Sequence, residues 1–170
     1  MRILRITLAV LALGAALVTP AAAEPVTSEA EHSGFALVVG HGTVVNPRLP
    51  GSYRIEVLVV RGENGGVSGF YRHGGRDGVL VEAHCLRVES GRALVGGIIV
   101  ESPIAGQVGM GAALAVDDRG RFGSPLGDRI ISGVGPPSTN LCPFSPAQIA
   151  GPWDDVVRGD FAVVTGPLSH

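Results

Sequence analysis

Apolar residues in this 170-residue chain fall in short runs separated by Gly, Pro, Asn and Asp. In the clearest runs they alternate with polar ones. Over residues 52–60, Tyr53, Ile55, Val57 and Val59 share one phase, while Ser52, Arg54 and Glu56 share the other. Period two marks a strand with one face buried. Residues 79–88 read the same way, with Val79, Val81, Ala83 and Cys85 on one face and Glu82 and His84 opposite. The run over 35–45 is broken by Gly40 and Gly42 and is read as a bent or bulged strand. Further strands are predicted over 67–72, 93–100, 109–116, 129–134 and 160–165. Between them lie Gly62 to Gly66, Gly74-Gly75-Arg76-Asp77-Gly78 and Glu89-Ser90-Gly91, where Gly and Asp-Gly supply the positive φ that hairpin turns need. No segment sustains a helical period. Short strands at hairpin spacing predict an all-β fold, a single antiparallel β-barrel or β-sandwich of about seven to nine strands. Residues 135–153, rich in Pro and holding Cys142, are expected to leave the sheet as an irregular excursion.

One apolar run does not belong to that pattern. Arg2 and Arg5 precede an apolar run from Ile6 to Val18, followed by Ala21-Ala22-Ala23. A basic start, a short apolar core and an Ala-x-Ala end make a secretory signal peptide, and the run falls short of the roughly 20 residues that span a bilayer. Cleavage after Ala23 would leave residues 24–170, with 24–33 as a flexible polar lead and 34–170 as a single all-β domain. The expected location is secreted: extracellular, or periplasmic in a host with an outer membrane. No membrane span is expected after cleavage.

Composition then narrows the partners. All 13 basic residues are arginine, scattered along the chain, against 15 acids. Two of the arginines leave with the signal peptide, so the mature domain is acidic. Without a basic cluster it is a poor binder of nucleic acid, whose affinity comes largely from neutralised phosphates, or of anionic membranes. Cys85 and Cys142 are the only cysteines. An even count in an exported chain predicts a disulfide between them; two buried thiols are the alternative.

Candidate chemistry is sparse. His84 beside Cys85 suggests a thiol enzyme, but neighbours on a strand face opposite ways, and a disulfide-bonded sulfur is no nucleophile. His32, His41, His73 and His84 lack the paired spacing of zinc ligands. Asp117-Asp118-Arg119-Gly120 lacks the alternating oxygens of a calcium loop and reads as a turn. Arg158-Gly159-Asp160 spells an adhesion tripeptide, yet a Gly-Asp turn before the last strand accounts for it. There is no Gly-x-Ser-x-Gly elbow and no dinucleotide fingerprint. Paired carboxylates for glycoside hydrolysis are compatible with the spacing, although the few aromatic residues argue against a sugar site. No catalytic, cofactor-binding or metal-binding residue is assigned, and no cofactor is expected. Trp153, in the excursion, is the candidate contact for a partner protein.

The order His84-Cys85-Leu86-Arg87-Val88, Gly91, Ala93, Val95-Gly96-Gly97, Val116-Asp117-Asp118, Gly120, Asp128, Ser132, Cys142 and Gly159-Asp160-Phe161-Ala162-Val163 resembles a pattern of secreted bacterial, mostly actinobacterial, all-β proteins with no established activity. The resemblance spans Val79 to Val163, about half of the mature chain; Arg92 stands where that group often carries Asn. It implies a single secreted all-β domain with a Cys85–Cys142 bridge and no particular activity. The expected function is a binding or structural module whose barrel mouth or interior could take a small apolar ligand. Its lining would be the faces from Tyr53 to Val59 and from Ala93 to Ile99, which on the plainer reading simply fill the core. The alternatives are an extracellular hydrolase, or an inhibitor of an extracellular protein acting through residues 136–153.

Overall fold

The computed structural model describes residues 34–46, 50–120, 127–136, 142 and 144–166. The proposed signal peptide and the lead to residue 33 lie outside them. Eight strands run in chain order: β1 (Phe35–Val45), β2 (Ser52–Arg61), β3 (Val67–His73), β4 (Val79–Glu89), β5 (Arg92–Glu101), β6 (Gly111–Asp117), β7 (Arg129–Gly135) and β8 (Asp154–Gly166). Each pairs antiparallel with the next, and β8 returns to β1, so the sheet closes as a barrel. Closure decides between barrel and sandwich.

The alternation seen in the sequence sets the inside. Ile55, Val57 and Val59 of β2, Val81 and Ala83 of β4, Ala93, Val95 and Ile99 of β5 and Leu114 and Val116 of β6 are buried in one central cluster. Phe161 of β8 is buried in the same cluster, and it fits because β1 is small opposite it. Gly40 is its register partner, and a Cβ on Gly40 would stand 2.8 Å from the Phe161 ring and 2.4 Å from the Asp160 carbonyl oxygen. Gly40 and Gly42 thus make room for the ring. Gly40→Ala is expected to lose about 1–3 kcal/mol to overpacking, read as a lower midpoint of urea unfolding.

Two bulges correct the sequence reading. In β4 the register slips at His84, with Ala83 opposite Gly97 and Cys85 opposite Gly96. The extra residue reverses the phase, so Leu86 joins the core while Cys85 faces outward. Cys85 therefore does not share a face with Val79, Val81 and Ala83. In β8, Thr43 pairs with Arg158 and Val44 with Val156, leaving Val157 as the inserted residue. β8 begins at Asp154, six residues before the predicted start, because this bulge and the positive φ of Gly159 (105°) absorb what looked like a turn. Arg158-Gly159-Asp160 lies within the strand, with Gly159 against Gly42 of β1.

The outward Cys85 meets Cys142, and their Cα atoms are 6.0 Å apart. Leu94, Ala115 and Cys142 form a second buried cluster on the outer wall, joined by Ile131, Ile149 and Trp153. The excursion is thus laid over β4 to β7 and stapled there. A short 3₁₀ turn, Pro146–Gln148, is capped by Ser145, whose hydroxyl also donates to the Glu89 carboxylate at the end of β4.

The closing seam is thin. β7 and β8 share only the pairs Arg129–Asp155 and Ile130–Asp154. Beyond them, side chains of the β6–β7 connection replace the missing ladder. Asp128 accepts from the buried Phe161 N–H at 2.8 Å and from Arg119 N–H at 3.0 Å. Asp118 accepts from Val163 N–H and, as an Asx turn, from Gly120 N–H, both at 3.0 Å. Burial, followed by repulsion from Asp118 and Asp160, outweighs these N–H donors and pushes the Asp128 carboxyl above the ordinary carboxylate range.

Candidate functional site

Inward positions at one end of the barrel break the apolar rule. Tyr53 of β2, His73 of β3, Ser132 of β7 and Asp154 of β8 continue the inward phases of Ile55, Tyr71, Ile130 and Val156. With the apolar Val81 and Ala112 beneath, they surround a cavity of about 380 Å3. That volume falls within the range of small-molecule sites, which commonly pair apolar walls with a few polar groups. At the opposite end of β2 the inward position is Arg61, which donates to the carbonyls of Leu86 at 2.9 Å and Gly34 at 3.4 Å.

The polar groups of the mouth are coupled. The Tyr53 hydroxyl donates to Asp154 Oδ2 at 2.5 Å. Its ring stacks on His73 with centroids 4.4 Å apart. Burial, reinforced by the Asp154 hydrogen bond and charge, raises the Tyr53 hydroxyl well above its ordinary value, with an opposing contribution from Ser132. Burial alone does the same to Tyr71. Both phenols are therefore neutral donors at physiological pH. Burial lowers His73 below its ordinary 6.5, and Asp154 only partly opposes this, so the imidazole is neutral there too. No Arg or His pairs with Asp154 in an ion pair among the described residues. Among the described residues the mouth thus carries a single carboxylate and no arginine.

The lowered His73 makes stability depend on pH in a defined direction. Above pH 6.5 the imidazole is neutral both folded and unfolded, and its full contribution is present. As pH falls below 6.5 the unfolded chain takes up a proton that the folded one refuses, so stability drops until the folded value is passed. His73→Phe keeps a ring against Tyr53 and removes the titration. In urea unfolding between about pH 8 and pH 5, wild type should lose stability relative to His73→Phe; parallel pH profiles would contradict this. The comparison with the variant matters because the raised Asp128 carboxyl acts in the opposite sense at lower pH.

The other sequence candidates are placed apart from this cavity. Cys85 and Cys142 form the disulfide, so Cys85 carries no thiol. His41 belongs to the outer face of β1 and His84 to the bulge of β4, while His32 lies outside the described residues. No group of three or more His, Cys, Asp or Glu that could hold a metal ion occurs among the described residues. Among the described residues Asp154 is the single carboxylate lining the mouth, whereas glycoside hydrolysis by the usual route needs two facing one site.

Trp153 is half-buried against the second cluster. The guanidinium carbons of Arg92 and Arg129 stand 5.6 and 5.5 Å from its ring, and both arginines pair with Asp117, at 3.1 and 2.7 Å. Burial pushes the Asp117 carboxyl up, but the hydrogen bonds and charges of Arg129 and Arg92 outweigh it and hold the group below its ordinary range. Trp153 and the Arg–Asp–Arg bridge fasten the excursion to β5, β6 and β7. The large exposed apolar side chain of the excursion, among the described residues, is Phe144.

Nor do the faces from Tyr53 to Val59 and from Ala93 to Ile99 line the cavity, apart from Tyr53; Ile55, Val57, Val59, Ala93, Val95 and Ile99 fill the core beneath it. Comparison with known protein families, curated proteins and solved structures gives no match. What the mouth can bind must be read from its own residues. Among the described residues no helix is long and apolar enough to cross a membrane.

Proposed function

We propose that this chain is an exported binding module whose small ligand enters the open mouth of the barrel. The carrying observation is the cavity of about 380 Å3 in which Tyr53, His73, Ser132 and Asp154 converge above apolar walls. A barrel that only had to fold would gain by filling this space, as it does around Phe161. Eight strands leave an interior that side chains can fill or that can hold one small ligand. Here the lower part is filled and the upper part is not. The disulfide, which is favoured in oxidising compartments, supports export, as does the expected signal peptide. The likeness to secreted bacterial proteins is consistent with it.

The test is native mass spectrometry of the mature protein, secreted by its own host and purified without reductant. The proposal predicts excess mass that departs on denaturation, and a polypeptide mass corresponding to residues 24–170 less two hydrogens. A bare protein that also acquires no mass from a small-molecule library would refute the ligand reading; a mass retaining residues 1–23 would refute the processing.

A further inference from the structure

Resting on the reading of the mouth as a ligand site, we infer that the ligand is a protonated amine carried on a small aromatic or apolar body, its ammonium directed at Asp154. Asp154 is 9% exposed and faces a cavity in which, among the described residues, no other carboxylate and no arginine lies. A carboxylate so placed favours whatever cation can reach it, because desolvated charge is costly until it is paired and hydrogen-bonded. The surrounding groups fit the rest of such a molecule. Tyr53 and Tyr71 add aromatic groups of the kind that attract cations to the lining, and Val79, Val81 and Ala112 bound an apolar wall. An anionic ligand would meet the Asp154 charge with no arginine among the described lining residues to offset it. A neutral one would leave that charge without a cation.

The experiment is isothermal titration of the oxidised mature protein at neutral pH with three probes of nearly equal shape: phenethylamine, phenethyl alcohol and hydrocinnamate. The amine should bind about tenfold or more tightly than the alcohol, the scale of a charge-assisted hydrogen bond, and the carboxylate should bind most weakly. In Asp154→Asn the advantage of the amine over the alcohol should vanish, with alcohol binding retained. Should that variant fail to fold, the ranking of the three probes on wild type still decides. Tyr53→Phe, which removes the phenol that shares Asp154, gives a second comparison, in which the preference for the amine should persist. Alcohol or carboxylate binding as well as the amine overturns the amine assignment and leaves the mouth as a ligand site. Failure of all three to bind at millimolar concentration overturns the assignment, and native mass spectrometry then decides the broader reading separately.

Discussion

Phe161→Ala is expected to be the most damaging single substitution in this barrel, lowering the free energy of unfolding by about 3–5 kcal/mol. Phe161 is fully buried, and its ring sits over two glycines of β1 that carry no side chain to fill the void truncation leaves. The size of the loss depends on how far a site can collapse, and a closed barrel resists collapse because its strands are tied to their neighbours, β8 by its full register with β1. The backbone at the same residue also holds the seam, since its N–H donates to Asp128. Phe161→Leu should lose less, having the shape to fill part of the space. Urea unfolding followed by fluorescence or circular dichroism measures both. A loss under about 1 kcal/mol for Phe161→Ala would mean that the ring does not fill the interior as described.

Replacing the cysteine pair, Cys85→Ser with Cys142→Ser, should lower stability by about 4 kcal/mol, the chain-entropy value for a bridge closing a loop of this length. Cys85 and Cys142 are 57 residues apart, and the loop between them contains β5, β6 and β7. A second consequence is local. The excursion covers Leu94 and Ala115 on the outer wall, and without the bridge its hold is left to Trp153, its two arginines and the Ser145–Glu89 contact. Limited proteolysis should therefore cut the 136–153 segment faster in the double variant, before global unfolding. Equal stability with and without reductant would contradict the structural role of the bridge.

The strands were legible because each has one buried face, and burial writes period two into the sequence. The run from Tyr53 to Val59 predicted its own inside without error. The bulge at His84 left no such mark: Val-Glu-Ala-His-Cys-Leu continues an apparent alternation, and only the pairing with Gly96 and Gly97 shows where the phase reverses. The same holds for β8, where Gly159 read as a turn because its contact with β1 comes from a distant part of the chain. The mouth was hidden for a related reason. Tyr53, His73, Ser132 and Asp154 lie on four different strands, and only closure of β8 onto β1 and β7 brings them together. A signal was nevertheless present. Tyr53 continues an inward apolar phase with a polar tip, and a strand end carrying such a residue is where an inside becomes a site. Trp153 also has a setting that its sequence did not show: it is half-buried, with Arg92 and Arg129 against its ring.

The ligand-binding mouth is tested most directly by amide chemical-shift mapping of the isotopically labelled, oxidised protein against a library of small amines and neutral fragments. Binding should move the resonances of Tyr53, Tyr71, His73, Val81, Ser132 and Asp154 together, with the core beneath Ile55 and the excursion around Trp153 unchanged. Shifts gathered instead on the exposed outer residues Val39, Leu58 and Phe70, or no response from any fragment, would contradict a ligand site at the mouth.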